Sequence, residues 1–257
     1  MIEVIKSYLQ RLKGTVRDLK TYVKFASRGN VVEHITNFAK PNLKLVLLLH
    51  GFGTTRRSVS ILEKRLRDDG FDVFSINLGG FLGRLNTGGI DELAMMVKDK
   101  IASLADRYNL GKLAIIGHSK GGLVGRYYIT MLNGNEHVHT LITLGAPHQG
   151  NWWAILAALT VVGLVSKSLW QMMPHSRFMK RLKKTPIPAD VYTVSICSDT
   201  DGVVSPNLAK IDIPEGSTNI KNVELHGYSH TDYLIKRGVY EVIRQELRAY
   251  LRTNSDV

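Results

Sequence analysis

The chain has 257 residues, enough for one large domain with a substantial core, and neither a low-complexity linker nor an internal repeat divides it. Its formal net charge is +12, and residues 1–40 and 166–185 carry nearly all of this excess. No DNA- or RNA-binding signature accompanies the charge, so we expect no nucleic-acid partner, whereas an anionic membrane surface fits the two basic segments. Cys197 is the only cysteine, which excludes an intrachain disulfide, and its apolar neighbours predict that it is buried.

The N-terminal segment predicts an amphipathic helix. In residues 2–26 the apolar side chains recur at alternating spacings of three and four, and basic residues lie off this narrow seam. Three interpretations stay open: an in-plane membrane anchor, a helix paired with another chain, and a helix docked on its own domain. The stretch VVEHITNF that follows is a candidate for an antiparallel leading strand.

The sequence offers no export signal, because charges interrupt the apolar residues at its beginning. Its longest nearly uninterrupted apolar run, residues 152–165, is too short to span a bilayer easily. These two observations favour a cytoplasmic or peripheral membrane protein.

From residue 41 onward, short apolar runs alternate with helical patterns. Apolar runs of this kind are typical of strands buried on both faces, and such strands pair in parallel. The alternation predicts an α/β fold, a three-layer α/β/α sandwich whose ligands bind beyond the carboxyl ends of the strands. The predicted strands cover residues 44–49, 72–77, 112–117, 140–144, 190–197 and 221–225, and the predicted helices cover residues 55–69, 90–108, 119–132 and 233–252.

A serine lies between two glycines where the strand at 112–117 is predicted to become a helix. The stretch Gly117-His118-Ser119-Lys120-Gly121 has the pattern G-x-S-x-G, in which a sharp turn exposes the serine oxygen at the carboxyl edge of the sheet. The positive end of the following helix dipole favours negative charge that develops there during acyl transfer. The alternative is a glycine-rich turn with an incidental serine.

A serine nucleophile needs a base to take its proton and an acid to orient that base. Asp201 begins DGVV at the apex of a loop after the fifth predicted strand, whereas Asp199 stays closer to the strand and is better explained as a turn cap. His230 leads into the last helix and is the preferred base; His226 sits at a strand end, and His118 is expected to pack behind the serine. Structural roles are expected for His34, His137, His139, His148 and His175.

Two backbone N–H groups are expected to stabilise an oxyanion beside the serine. Lys120 follows the serine directly and supplies one of them. The stretch HGFG at residues 50–53 follows the first strong strand, and its glycines allow the backbone of Phe52 to supply the other. The alternative for HGFG is an ordinary turn that ends a strand.

Six short motifs follow one another along residues 41–251: HGFG at 50–53, GHSKGG at 117–122, GAPHQG at 145–150, QMMPHSRFMKRL at 171–182, DGVV at 201–204 and HGYSH at 226–230. Together they resemble the bacterial lipases of the α/β-hydrolase fold, a family of triacylglycerol lipases and carboxylesterases. The resemblance implies that Ser119 is the nucleophile, Asp201 the acid and His230 the base, with Phe52 and Lys120 as oxyanion donors.

The resemblance implies no cofactor. Some relatives bind a structural calcium, but the sequence has no convincing acidic cluster for it, and we expect no metal. Such lipases often carry glutamine or methionine where this chain has Lys120, although only the backbone of that residue is needed for the oxyanion.

Residues 151–185 form a long insertion between two strands and predict a helical lid over the carboxyl edge. The apolar part of this insertion is costly to leave in water, and its basic end could meet anionic headgroups. A fixed helical cap is the alternative to a mobile lid. Peripheral membrane contact through residues 1–28 and 151–185 is therefore an open possibility, and the sequence does not indicate an oligomeric state.

The function expected from these residues is hydrolysis of carboxylic esters, with lipid esters as the substrate, through an acyl-enzyme on Ser119. Two alternatives stay open. The same triad also serves acyl transfer and the cleavage of thioesters or amides, and an α/β-hydrolase module can bind membranes without catalysis.

Overall fold

The computed structural model describes residues 44–79, 86–108, 111–152 and 166–254. The predicted N-terminal helix and the candidate leading strand lie outside these residues, as does the apolar part of the predicted lid at 153–165. Within the described ranges, no helix combines the length and the apolar character needed to cross a bilayer.

Six strands form one sheet, and every neighbouring pair is parallel, as predicted. Their ends lie within two residues of the predicted ones. The strands are β1 (Leu45–Leu49), β2 (Asp72–Ser75), β3 (Leu113–His118), β4 (Val138–Leu144), β5 (Tyr192–Ser198) and β6 (Ile220–Leu225). They are arranged in the order β2-β1-β3-β4-β5-β6, so β3 and β4 lie in the middle of the sheet.

Helices cover both faces of the sheet, which explains why the central strands are apolar on both sides. Successive residues of β1 alternate between two cores. Leu47 packs into the core that contains the helices after β2 and β3, and Leu48 packs into the core that contains the helix after β1 and the C-terminal helix. The helices are α1 (Ser60–Asp68), α2 (Ile90–Tyr108), α3 (Lys120–Met131), α4 (Lys167–Gln171), α5 (Arg177–Lys184), α6 (Pro206–Ala209), α7 (Asp232–Ile235) and α8 (Arg237–Asn254).

Two predicted helices differ from the observed ones. The helix predicted at 55–69 begins with a 3₁₀ turn at Arg56–Val59, in which the Ser58 N–H bonds to the Thr55 carbonyl, and α1 follows. The helix predicted at 233–252 is two helices, α7 and α8. They are separate because Lys236 has an extended backbone, with φ −84° and ψ 136°.

The strand register brings the chemically interesting residues to one edge of the sheet. Leu49 of β1 pairs with Gly117 of β3, and His118 pairs with Leu144 of β4. On the other side of β4, Ser198 at the end of β5 pairs with Leu225 at the end of β6. The loops that carry the candidate nucleophile, acid and base therefore leave the sheet at the same carboxyl edge.

A substitution at Gly117 tests how closely β3 and α3 approach each other. A Cβ atom there would lie 2.5 Å from the backbone nitrogen of Gly122, an atom that cannot move without shifting α3. We expect Gly117→Ala to lower the free energy of unfolding by about 3 kcal/mol, as measured by urea denaturation.

The matched control is Gly88→Ala. The nearest atom to a Cβ there belongs to the Leu93 side chain, at an ordinary contact distance of 3.4 Å. Because the added methyl group restricts the unfolded chain, we expect the free energy of unfolding to stay the same or to rise by less than about 1 kcal/mol. Equal losses in the two variants would contradict this account of the elbow.

Candidate active site

Ser119 lies on a sharp turn between β3 and α3. Its backbone has φ 53° and ψ −124°, a conformation that side-chain-bearing residues rarely adopt and that costs about 1–3 kcal/mol. The turn is held by hydrogen bonds from the Ser119 N–H to the Leu144 carbonyl, at 2.8 Å, and from the Gly122 N–H to the Ser119 carbonyl, at 3.0 Å. The predicted elbow is therefore present, and its serine is half-buried at the edge of the sheet.

Asp201 and His230 form a buried pair. His230 Nδ1 donates to Asp201 Oδ2 over 2.8 Å, and both side chains are almost fully excluded from solvent. The other carboxylate oxygen of Asp201 accepts hydrogen bonds from the backbone N–H groups of Val203 and Val204, at 2.8 and 2.9 Å. The carboxylate is thus fixed by its own loop, and it in turn fixes the imidazole.

His118, which the sequence predicted to pack behind the serine, contacts the base of this pair. Its Nε2–H donates to the backbone carbonyl of His230 over 2.9 Å, and the centroids of the two rings lie 4.7 Å apart. Burial lowers the pKa of His118 to about 3, so its ring stays neutral. The side chain therefore positions the backbone of the base without placing a second charge beside it.

Ser119 and His230 line the same pocket, together with Gly51, Phe52 and Leu234. The walls of this pocket are largely apolar. The structure thus brings the predicted nucleophile, the predicted base and one predicted oxyanion residue to one concave site, and Asp201 reaches the site through His230.

The loop after β1 lies against the elbow. A Cβ atom on Gly51 would approach the Ser119 Cβ to 3.2 Å, so only glycine leaves normal space there. Asn86 holds the loop from outside, because its Nδ2 donates to the carbonyls of His50 and Gly51 at 3.0 and 3.1 Å. These contacts place Phe52 next to the serine, where the sequence predicted it.

Lys120 has a role for its side chain that the sequence did not reveal. The side chain is fully buried, and its ammonium donates to the carbonyls of Asn86 and Gly88, both at 2.9 Å, and to Ser168 Oγ at 3.2 Å. It also lies 5.4 Å from the centre of the Phe52 ring, within the range of a cation–π contact. The buried ammonium of Lys120 thus links the serine elbow, the segment at 86–88 and the start of α4.

The acceptors around Lys120 are neutral, so burial is the largest influence on its pKa. Desolvation lowers the pKa of Lys120 from its usual 10.5 to about 7, and the negative charge of Glu92 offsets only part of this effect. A lysine in the ordinary range would be fully charged at neutral pH. Here the charged form is costly, and hydrogen bonds and one aromatic ring stabilise it.

Of the residues that the sequence set aside, His118 lines the pocket, and the others that the structure describes do not. Asp199 accepts hydrogen bonds from the Gly227 N–H and the exposed His226, both at 3.0 Å, as expected for a turn cap. His148 is buried against Thr143. His139 stacks on Tyr250, and His175 contacts Trp152. His34 lies outside the described residues. Cys197 is buried, as predicted.

Two further residues complete the site and were missed by the sequence. Gly145, with φ +56°, leaves room for the triad: a Cβ there would lie 2.6 Å from the Tyr233 ring and 3.0 Å from Asp201 Oδ2. Tyr233 packs edge-on against His230, with ring centres 6.1 Å apart. The motif GAPHQG contains Gly145, so it could have been found, whereas nothing local marks Tyr233. In the described ranges, no group of three or more His, Cys, Asp or Glu side chains could hold a metal ion.

Known proteins match part of this chain in sequence. A family model described as palmitoyl protein thioesterase matches residues 45–155. A triacylglycerol lipase from Pseudarthrobacter phenanthrenivorans is 30% identical over 116 residues, which cover 42% of this chain and 34% of the relative. A triacylglycerol lipase from Burkholderia plantarii is also 30% identical over 116 residues, covering 42% of this chain and 31% of that protein. The chain spans about a third of the length of these curated relatives.

Solved structures show the same fold. The mature lipase BlEst2 of Bacillus licheniformis superposes with a TM-score of 0.64 at 16% identity, covering 85% of this chain and 96% of that one. Lipase B of Aspergillus fumigatus superposes with a TM-score of 0.66 at 20% identity, covering 83% and 57%. The chain therefore has the α/β-hydrolase fold, and the predicted fold class is confirmed. The sequence matches to lipases and to the thioesterase family model cover less than half of the chain. The helical lid stays a prediction.

The burial of Lys120 predicts how stability depends on pH. Between pH 7 and pH 10 the unfolded chain keeps a proton on this lysine that the folded protein releases, so the free energy of unfolding rises with pH. We expect this rise to be about 1.4 kcal/mol per pH unit steeper in the wild type than in Lys120→Met, measured by urea denaturation at a series of pH values.

Lys98→Met is the matched control, because Lys98 is exposed on α2. Its stability profile should run parallel to that of the wild type. A Lys120→Met profile that also runs parallel to the wild type would show that the Lys120 side chain keeps an ordinary pKa in the folded protein.

Proposed function

We propose that this chain is a serine hydrolase that cleaves carboxylic esters, with lipid esters as the substrate class. The observation that carries the proposal is the Asp201–His230 pair, buried and aligned at 2.8 Å, in a site whose pocket also contains Ser119 on a strained elbow. A binding module would need no such combination of a fixed acid, a fixed imidazole and a serine hydroxyl in one pocket.

In the first half-reaction His230 Nε2 takes the proton of the Ser119 hydroxyl while the oxygen attacks the ester carbonyl. The tetrahedral intermediate collapses when His230 returns that proton to the leaving alcohol, which leaves an acyl-enzyme. In the second half-reaction His230 takes a proton from water as the water oxygen attacks the acyl carbonyl. The intermediate collapses when His230 returns this proton to the Ser119 oxygen, which releases the carboxylic acid and restores the serine. Asp201 stays ionised and stabilises the imidazolium in each step.

The backbone N–H groups of Phe52 and Lys120 are the proposed donors to the oxyanion. Support comes from the position of the loop after β1, since Gly51 approaches Ser119 closely and Asn86 fixes that loop. The N-terminus of α3 begins at Lys120 and adds the positive end of its dipole. Each such donor typically lowers the barrier by about 3–4 kcal/mol.

The lipid character of the substrate rests on the apolar walls of the pocket and on the relatives, two of which are named triacylglycerol lipases. An apolar pocket next to the nucleophile suits a hydrocarbon chain, because burying each methylene group contributes about 0.8 kcal/mol. Fatty acyl esters are therefore the substrates that we propose.

A second candidate is thioester hydrolysis. The matching family model is described as palmitoyl protein thioesterase, and its residues 45–155 include the loop after β1 and the serine elbow. The same acyl-enzyme forms from a thioester, with a thiol as the leaving group. Oxygen esters and thioesters with the same acyl chain, assayed side by side, decide between the two by their kcat/KM values.

The triad predicts the effect of two substitutions. Ser119→Ala removes the nucleophile, and Asp201→Asn leaves His230 without the carboxylate that orients it and stabilises its charge. We expect each to lower kcat for a soluble short-chain ester by about 10⁴-fold while the protein stays folded by circular dichroism.

A second assay separates hydrolysis from acyl transfer. The release of the alcohol and of the acid by the wild-type protein is measured with and without a competing alcohol.

Two matched variants serve as controls. Ser58 also lines the pocket, but its hydroxyl donates to the Thr55 carbonyl, so Ser58→Ala should keep most of the activity. Asp199 contacts the exposed His226 and not the base, so Asp199→Asn should change kcat by less than about threefold. Activity retained by Ser119→Ala, or lost equally on changing Asp199 and Asp201, would refute the proposed triad.

A further inference from the structure

Helix α5 carries a concentrated positive face that the proposed chemistry does not use. Within its eight residues Met179 and Leu182 are buried, and Phe178 stacks on Tyr127 with the ring centres 5.4 Å apart. Every other residue of the helix is an exposed cation: Arg177, Lys180, Arg181, Lys183 and Lys184.

Within the described residues, these cations are not paired with acidic side chains. Residues 166–185 contain no Asp or Glu, and none of the five side chains forms an ion pair with any part of the chain that the structure describes. The contrast with α4 is direct, because Lys167 pairs with Asp91 and Glu92 at 3.0 and 2.8 Å. The charge of α5 is thus left facing solvent.

The helix is held firmly in place. Ser176 caps its N-terminus by accepting a hydrogen bond from the Met179 N–H at 3.0 Å, and the same hydroxyl donates to the Gln171 carbonyl at 2.6 Å. Near its other end, the buried guanidinium of Arg126 donates to the Leu182 carbonyl at 3.2 Å. The five cations therefore form a preorganised surface and not a loose basic tail.

Two exposed tryptophans lie at the N-terminal end of α5. Trp152 is 55% exposed and contacts His175, one residue before the cap of the helix, with the ring centres 5.6 Å apart. Trp170 is 49% exposed and lies in α4, beside the residue whose carbonyl holds Ser176. Tryptophan is the side chain that prefers the boundary between headgroups and acyl chains.

This surface is close to the proposed active site. Asn151, next to Trp152, donates from Nδ2 to the Val203 carbonyl at 3.1 Å, and the Val203 N–H bonds to Asp201. A membrane that received Trp152 would therefore lie next to the loop that carries the acid of the triad.

We propose that the cations of α5, together with Trp152 and Trp170, dock the protein on an anionic lipid bilayer. The inference rests on the proposed function in one respect, that the docked enzyme would take its ester substrate from the same bilayer. Cations satisfy the anionic headgroups, and the tryptophans enter the interface beside them. Each lysine or arginine near an anionic leaflet strengthens binding by about fivefold, and the effect falls with salt.

The test uses the full chain with Ser119→Ala, so that no lipid is cleaved during the measurement. Binding to sedimented vesicles of phosphatidylcholine alone is compared with binding to vesicles that also contain phosphatidylglycerol. We expect strong binding to the anionic vesicles only. The triple substitution Lys180→Gln, Lys183→Gln and Lys184→Gln should weaken it by about 100-fold.

The control triple, Lys98→Gln, Lys100→Gln and Lys236→Gln, removes the same net charge from exposed positions outside α5. It should weaken binding by less than about threefold, because it lowers only the long-range attraction. Replacing Trp152 and Trp170 by alanine should weaken binding to the anionic vesicles by about tenfold at unchanged charge.

Equal effects of the two triples would overturn the proposal, and so would equal binding to both kinds of vesicle. Binding to a DNA duplex that depends on the α5 lysines and exceeds vesicle binding would also overturn it, in favour of a nucleic-acid partner. Turnover of a soluble ester, measured in the same variants on a wild-type Ser119 background, should stay unchanged. If the wild-type protein does not turn over the ester, the proposed hydrolase activity is refuted. If the triple substitution in α5 leaves vesicle binding unaltered, the docking surface is refuted.

Discussion

The close approach of backbone to backbone around Ser119 is the constraint on which the other features depend. The serine has a left-handed backbone because β3 must turn into α3 within one residue, and Gly117 and Gly121 leave no side chain between the helix, β3 and the end of β1. Gly51 adds a third close approach, from the loop after β1. Because these segments touch without side chains between them, the serine elbow, the N-terminus of α3 and the loop after β1 lie against one another.

Buried polar groups then hold this arrangement from several sides. Asp201 is satisfied by two backbone N–H groups and by His230, and the carbonyl of His230 is satisfied by His118. Lys120 differs from these groups, because it brings a cation into the interior with neutral acceptors only. Burial makes the charged form costly, and the three hydrogen bonds and the Phe52 ring stabilise it. The elbow and the start of α4 are thereby coupled through a group whose charge changes near neutral pH.

The sequence predicts the features that depend on local pattern. Apolar runs, glycine spacing and turn chemistry predict all six strands, the position of Ser119 between β3 and α3, and the order of Asp201 and His230 along the chain. The break at Lys236 was missed because the apolar periodicity continues across it from α7 into α8. The side-chain bonds of Lys120 and the packing of Tyr233 join segments that are distant in the chain, and no local pattern encodes such contacts. The roles of Ser119, Asp201 and His230 in catalysis stay predictions, as does the lid.

The central claim is that Ser119 is an activated nucleophile, and covalent labelling measures this directly. The folded chain is incubated with a fluorophosphonate probe and digested, and the modified peptide is located by mass spectrometry. The account predicts a single phosphonylated residue, Ser119, and much slower labelling when Asp201 is replaced by Asn, because His230 then no longer assists the attack. A folded protein that takes up no probe, or takes it up at another serine, would contradict it.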